Sequence, residues 1–197
     1  MSPVGTKRRV RTPIAPRLKS LAGARVGLLD NTKKNADRLL SALAEMLQRD
    51  YGVADVLSRR KIGSSPGAPD AMIEELAQCD AVLNAYGDCG SCTSWCIHDG
   101  VTLEKRGVPT ATINTDAFVV LGQQEAVALG VPGLPIVMAP HPMGDVSAET
   151  VRERAKAMIG QVVHVLTGDS ALLESEFTDL YVSESDKFWR GGMVCEL

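Results

Sequence analysis

Aromatic residues make up only 4% of the chain, and no apolar run approaches the roughly 18 residues that cross a bilayer. The first 25 residues contain no acid. Each absence excludes something. With so few rings, Leu, Ile, Val and Ala must fill the core. With no long apolar run, a helical membrane span is not expected. The acid-free start carries Lys7, Arg8, Arg9, Arg11, Arg17, Lys19 and Arg25, but no apolar segment follows it. It therefore reads as neither a secretory nor a twin-arginine signal, and a cytoplasmic location is expected. An even, dispersed cysteine set is also missing. There are five cysteines, three of them within eight residues, which is not a secreted disulfide framework.

Charge is segregated. Outside those seven cations, fourteen remain against 24 acids, so the body carries a net charge of about −10. Such a body is a poor nucleic-acid surface. The chain's 197 residues suffice for one α/β domain with a full core. Residues 1–20 read as a basic, proline-punctuated arm (Pro3, Pro13, Pro16). Residues 21–168 read as the α/β catalytic domain. Residues 169–197 read as a tail whose Phe188 and Trp189 dock on a partner subunit or a second copy, or which delivers Cys195 as a second thiol.

Apolar runs alternate with helical patterns. Strands are expected at Arg25–Asp30, Val53–Leu57, Ala81–Tyr86, Thr110–Ile113 and Leu134–Met138. Helices are expected at Ala36–Gln48, Asp70–Gln78, Cys92–Arg106, Asp116–Leu129 and Ala148–Leu166. Short connections between them predict a single flavodoxin-like or Rossmann-like domain, a parallel five-stranded sheet of order 2-1-3-4-5 with helices on both faces. Ligands of such sheets bind at the carboxyl ends of the strands, where the order reverses. Here that point lies between Asp30-Asn31 and Asp88-Cys89.

The chemistry-bearing segment is Gly87-Asp88-Cys89-Gly90-Ser91-Cys92-Thr93. A thiolate at Cys89 would lie at a helix N-terminus, whose free N–H groups and dipole favour an anion. Gly87 and Gly90 allow a tight turn and close approach of a ligand. Asp88 opposes the thiolate, caps the helix or moves a proton. Three readings of the cluster stay open. Cys89 is a nucleophile or electron donor with Cys92 as resolving thiol. Alternatively, Cys89, Cys92 and Cys96 hold an iron–sulfur cluster, although the spacing matches neither common ferredoxin pattern. Or zinc binds there with His98 or His141, although only the first half of a zinc motif is present. No metal or cofactor is required by the sequence. Cys79 reads as a buried hydrophobe, and Cys96 as packing or a third thiol.

The run from Gly87 to Trp95 resembles the signature of the UGSC-motif selenoprotein family, in which selenocysteine or cysteine fills the position of Cys89. Leu28–Asp37, His98-Asp99, Glu104–Pro109 and Pro140–Gly144 resemble its other landmarks. The resemblance implies redox or nucleophilic work at Cys89. A looser likeness is to glycine- and proline-reductase selenoproteins. Another is to aspartate/glutamate racemase-like domains, but these need a second Cys where His141 stands here.

Supporting residues follow from position. His141, between two prolines past the fifth strand, is the expected general acid/base. Asn31 and Lys34, beside Lys33 and Asn35, are expected to bind an anionic group, unless Asn31 or Thr32 simply caps the helix. Gly90, Ser91, Thr93 and Thr115 complete the expected substrate contacts, while Thr115 and Asp116 also read as caps. His98 reads as packing or capping and His164 as surface. The sequence thus predicts a thiol-dependent enzyme, an oxidoreductase acting on a small anionic molecule. A lyase, hydratase or isomerase using Cys89 covalently or as a base is the alternative, followed by a non-catalytic cluster-bearing or partner-binding subunit.

Overall fold

A computed structural model describes residues 11–182. Five parallel strands, β1 (Arg25–Asp30), β2 (Asp55–Arg60), β3 (Ala81–Gly87), β4 (Thr110–Thr115) and β5 (Ile136–Ala139), form one sheet in the order β2-β1-β3-β4-β5. The helices are α1 (Ala36–Tyr51), α2 (Asp70–Leu76), α3 (Gly90–Lys105), α4 (Val119–Ala128), α5 (Ala148–Thr167) and α6 (Ser170–Phe177). The expected order of strands is the observed one. Every residue of β3 and β4 is buried, as a central parallel strand covered on both faces requires.

α1 and α5 pack together on one side of the sheet. Leu39, Leu40, Leu43 and Leu47 of α1 meet Val151, Ala155 and Val162 of α5 in the main aliphatic core. α2, α3 and α4 cover the other side, where Leu29, Leu76, Val82 and Leu103 form a smaller apolar cluster. Among the described residues no helix is long and apolar enough to cross a membrane.

Three local expectations change. β2 lies two to three residues later than its apolar run, because this edge strand is only partly covered and tolerates Ser58, Arg59 and Arg60. The body also does not stop at residue 168. Asp169 caps α6 by accepting N–H bonds from Ala171 and Leu172, and Leu173 and Phe177 enter the core. At the other end, Ile14 and Ala15 are buried. Arg17 reaches the buried Glu104 at 2.9 Å, and Ala15 N–H donates to the same carboxylate at 2.7 Å. The arm is thus fastened before residue 20. Phe188, Trp189 and Cys195 lie outside the described residues.

Candidate active site

β3 ends at Gly87, and α3 begins three residues on with Cys89 as its N-cap. The helix starts two residues earlier than its apolar pattern suggests, because the cap is a sulfur and Gly90-Ser91 fill the first turn. Cys92 N–H points at Cys89 Sγ at 3.4 Å, so an N-terminal donor that the helix itself cannot satisfy faces the sulfur. Cys89 and Cys92 are joined as a disulfide, with Cα atoms 5.5 Å apart, inside the range that such a bond spans. The two sulfurs are not equally accessible. Cys89 is half-buried, whereas Cys92 is fully buried.

Asp88 organises the surroundings. Its Oδ1 lies 2.8 Å from Lys33 Nζ and 3.8 Å from Cys92 Sγ. The buried Tyr86 has its hydroxyl beside this carboxylate and donates to Lys34 O at 2.7 Å. Burial, then the Asp88 charge, pushes the Tyr86 hydroxyl well above its usual range, so it stays a donor. Gly144 faces the same group: a Cβ there would stand 3.5 Å from Tyr86 Oη and 3.9 Å from Asp88 Oδ2.

The residues picked from the sequence divide into those at the sulfurs and those that build the frame. Ser91 is exposed, with Oγ 3.9 Å from Cys89 Sγ. Gly90 is exposed, and nothing beyond its chain neighbours lies within 4 Å of where its side chain would begin. Thr93 instead points inward. It is fully buried, and a Cβ on Gly87 would sit 2.6 Å from both Thr93 Oγ1 and Asn114 Oδ1. Gly87 is needed for that contact. Asn31 is also buried and donates its amide to Tyr86 O at 2.8 Å, tying the end of β1 to the end of β3. Lys34 is exposed and pairs with Asp145 at 3.2 Å; its neighbour Lys33 is the lysine that reaches Asp88.

Neither Asn31 nor Thr32 caps α1. The N-cap is Asn35, at φ 71° and without a side-chain cap bond. Its amide donates to Met143 O, Gly144 O and Val146 O at 3.0–3.2 Å. Asn35 thereby holds the loop after β5 against the start of α1. Arg154 of α5 braces that loop from the other side through Pro140 O and Pro142 O.

His141 sits exposed on this loop. Its backbone N–H donates to Asp116 Oδ1 at 3.2 Å, so Asp116 fixes the loop and does not cap the 3-10 turn Asp116–Phe118, which has no side-chain cap bond. Thr115 Oγ1 lies 3.3 Å from Gly87 O and 3.2 Å from His141 Nδ1. A carbonyl only accepts. If the hydroxyl donates its one hydrogen to Gly87 O, His141 Nδ1 carries the proton toward Thr115 and Nε2 is left outward. Thr115 thus connects the strand end before the cysteines to the imidazole.

Three groups remain apart from the sulfurs. Cys96 is buried under α3, and burial, then the Asp99 charge, pushes its thiol far up. Cys79 is buried too, and its thiol is likewise raised by burial. His98 stacks near Trp95, with ring centres 5.2 Å apart. Among the described residues, the ligand atoms of Asp88, Cys89 and Cys92 cluster within 4.8 Å of one another, and neither His98 nor His141 joins them. His164 is exposed, as expected, and pairs with Glu176 at 2.8 Å. A hollow of about 250 Å³ beside the site is lined by Thr32, Lys33, Lys34, Asn35, Asp37, Arg38 and Arg60.

A family model described as the UGSC family matches residues 1–168. The chain belongs to the UGSC family. The resemblance carried by Cys89-Gly90-Ser91-Cys92 thus extends over most of the chain. No curated protein matches it significantly. Similar solved structures include a flavodoxin-like domain from Synechococcus sp., 12% identical over 73% of this chain and 99% of that one, with a TM-score of 0.39. Another is diflavin flavoprotein A3 from Nostoc sp., 13% identical over 73% of this chain and 96% of that one, with a TM-score of 0.38.

Proposed function

We propose that this UGSC-family chain is a thiol-dependent oxidoreductase that delivers two electrons from Cys89 and Cys92 to a small anionic substrate. The observation that carries the reading is the unequal exposure of two bonded sulfurs at one helix start: Cys89 is reachable and Cys92 is buried behind it. Nucleophile and resolving thiol need that asymmetry, because only the first must meet the substrate.

In the reduced protein, the Cys89 thiolate is stabilised by the Cys92 N–H and the start of α3. It attacks the electrophilic atom of the substrate, forming a sulfur–substrate bond and expelling a leaving group with its electron pair. His141, oriented through Thr115, takes the Cys89 thiol proton at Nε2 as the thiolate forms and gives it to that leaving group. Asp88, 3.8 Å from Cys92 Sγ, accepts the Cys92 proton. The Cys92 sulfur then attacks Cys89 and releases the rest of the substrate, reduced by two electrons. Two equivalents of an external thiol restore the pair, leaving as their own disulfide. Lys33 pairs with Asp88 at 2.8 Å, and the hollow lined by Lys33, Lys34, Arg38 and Arg60 with Asp37 as its one acid suits an anionic substrate.

Alkylation of the reduced chain with iodoacetamide, mapped by peptide mass, tests the first step. Cys89 should label preferentially below about pH 8, under the ordinary thiol value near 8.5. Cys79 and Cys96 should stay unlabelled in the native protein, because raised thiols remain protonated. Cys92→Ser should then accumulate a covalent Cys89 adduct with a small anionic disulfide. Absence of preferential Cys89 labelling overturns the reading. Full turnover by Cys92→Ser with Cys89→Ser dead replaces it with non-redox covalent catalysis.

A further inference from the structure

The cluster of Asp88, Cys89 and Cys92 has a capacity that electron transfer does not use. In tetrahedral zinc sites with Zn–S near 2.3 Å and Zn–O near 2.0–2.2 Å, neighbouring ligand atoms stand about 3.5–3.8 Å apart. Cys92 Sγ and Asp88 Oδ1 are 3.8 Å apart, and all three donors lie within 4.8 Å of one another. C-x2-C across a helix start is the spacing of half a zinc site. The sequence offers no second C-x2-C, and neither His98 nor His141 approaches the sulfurs closely enough to supply the missing ligand. Among the described residues, the one that approaches is Asp88.

We propose that the reduced chain binds one thiophilic divalent cation, of the zinc class, through Cys89 Sγ, Cys92 Sγ and a carboxylate oxygen of Asp88, with the fourth position open to solvent. Asp88 Oδ1, the oxygen 3.8 Å from Cys92 Sγ, also meets Lys33 at 2.8 Å, and a carboxylate oxygen has lone pairs for both an ammonium and a cation. Lys33 and the first turn of α3 offset the surplus negative charge of two thiolates and a carboxylate around a dication. Cys89 is half-buried beside the exposed Gly90 and Ser91, so the fourth ligand, a water or an incoming anion, enters from solvent. Three protein ligands and an open position are the pattern of a reactive zinc, not a purely structural one.

The site exists in one redox state only. In the disulfide, neither sulfur is a thiolate. A phosphine reduces the bond, giving two thiols while water's oxygen converts it to its oxide; metal binding then displaces the two thiol protons. Metal and disulfide therefore exclude one another, and a bound cation holds the pair reduced. The proposal needs only that the disulfide can be reduced, not that the chain is an oxidoreductase.

Cobalt(II) titration of the anaerobic, phosphine-reduced full chain tests it. One equivalent should produce the charge-transfer and visible bands of a tetrahedral cobalt thiolate, and zinc should bleach them. The oxidised chain should give none. Asp88→Asn should weaken binding at least roughly tenfold, since even outer-sphere partners of a metal site are worth that much. His98→Ala and Cys195→Ser should bind as the parent does. No bands in the reduced chain, or unchanged affinity in Asp88→Asn, overturns the proposal. Loss of the bands in His98→Ala or Cys195→Ser overturns the assigned ligands. Cys89 alkylation of each metal-free variant reports an intact site, so failure here is distinguishable from failure of the redox reading.

Discussion

α1 and α3 are each 16 residues long and follow inner strands of the same sheet, yet they are held by different chemistry. α1 buries an aliphatic stripe, Leu39, Leu40, Leu43 and Leu47. α3 buries Asp99, Glu104, Thr93, two cysteines and Gly100 among fewer aliphatic residues. Its fastenings are directional. Asn84 Nδ2 donates to Cys96 O at 2.7 Å, Lys61 pairs with Asp99 at 2.7 Å, and Glu104 accepts from Thr110 N–H and Oγ1. An apolar stripe stabilises in proportion to buried area and tolerates small slips. Hydrogen bonds and close glycine contacts fix one position. The helix carrying the cysteines is the one that is positioned, and the helix opposite supplies ordinary stability.

The largest test of this contrast is Lys61→Met, which leaves the buried Asp99 carboxylate without its cation. Breaking one side of a buried pair costs about 3–5 kcal/mol. The sign with pH is fixed by Asp99. Burial raises its pKa above the ordinary carboxylate value, against the opposing pull of Lys61 and of Ala68 N–H. A group with a raised folded pKa contributes stability below its unfolded value and loses it as pH rises through the folded value. Removing Lys61 raises that folded value further. Urea unfolding should therefore show a larger deficit at about pH 7 than at about pH 5. A small, pH-independent deficit would mean that α3 is not held in this way.

A matched pair sharpens the comparison at smaller cost. Leu43→Ala on α1, from a fully buried site, should destabilise by about 2–5 kcal/mol. It should leave Cys89 alkylation of the folded protein unchanged. Gly100→Ala on α3 sets two effects against each other. Helix propensity favours alanine by about 1 kcal/mol, but its Cβ would lie 2.4 Å from Thr112 Oγ1 on β4. That overlap forces α3 to shift, at about 1–3 kcal/mol, so the net effect is destabilising and the rate at Cys89 should change with it. Equal effects of both variants on labelling would erase the distinction between the two helices.

The same contrast explains what the sequence made legible. The leucine spacing of α1 and the apolar runs of β1 and β3 are direct records of burial, so topology and strand order could be read from them. The position of Cys89 at a helix start was legible because Gly87 and Gly90 mark the turn. The polar fastenings were not. Asn31 and Thr93 look like ligand-binding residues by type and place, but one ties two strands together and the other packs behind Gly87. Lys33 and Lys34 are indistinguishable in sequence, and the left-handed turn at Asn35 helps set the path of this segment. Tyr86 gave no signal inside an apolar strand. α6 does carry one, an Asp cap followed by Leu173 and Phe177 four residues apart.

The smallest expected effect lies between β3 and β5. Thr115→Val keeps the shape of the side chain and removes the hydroxyl shared by Gly87 O and His141 Nδ1. Loss of this long buried bond, 3.3 Å, should cost about 0.5–1.5 kcal/mol. Its informative consequence is chemical. Without the hydroxyl, His141 Nδ1 has no fixed acceptor and the Nδ1–H share should fall toward the Nε2–H-favoured balance of a free imidazole, which nitrogen-15 NMR of the imidazole reports directly. If His141 acts at the cysteine centre, resolution of the Cys89 adduct should slow and its pH profile broaden, while alkylation of Cys89 itself stays near the parent rate. An unchanged tautomer ratio would show that Thr115 does not orient the ring, and would return His141 to the role of an exposed loop residue.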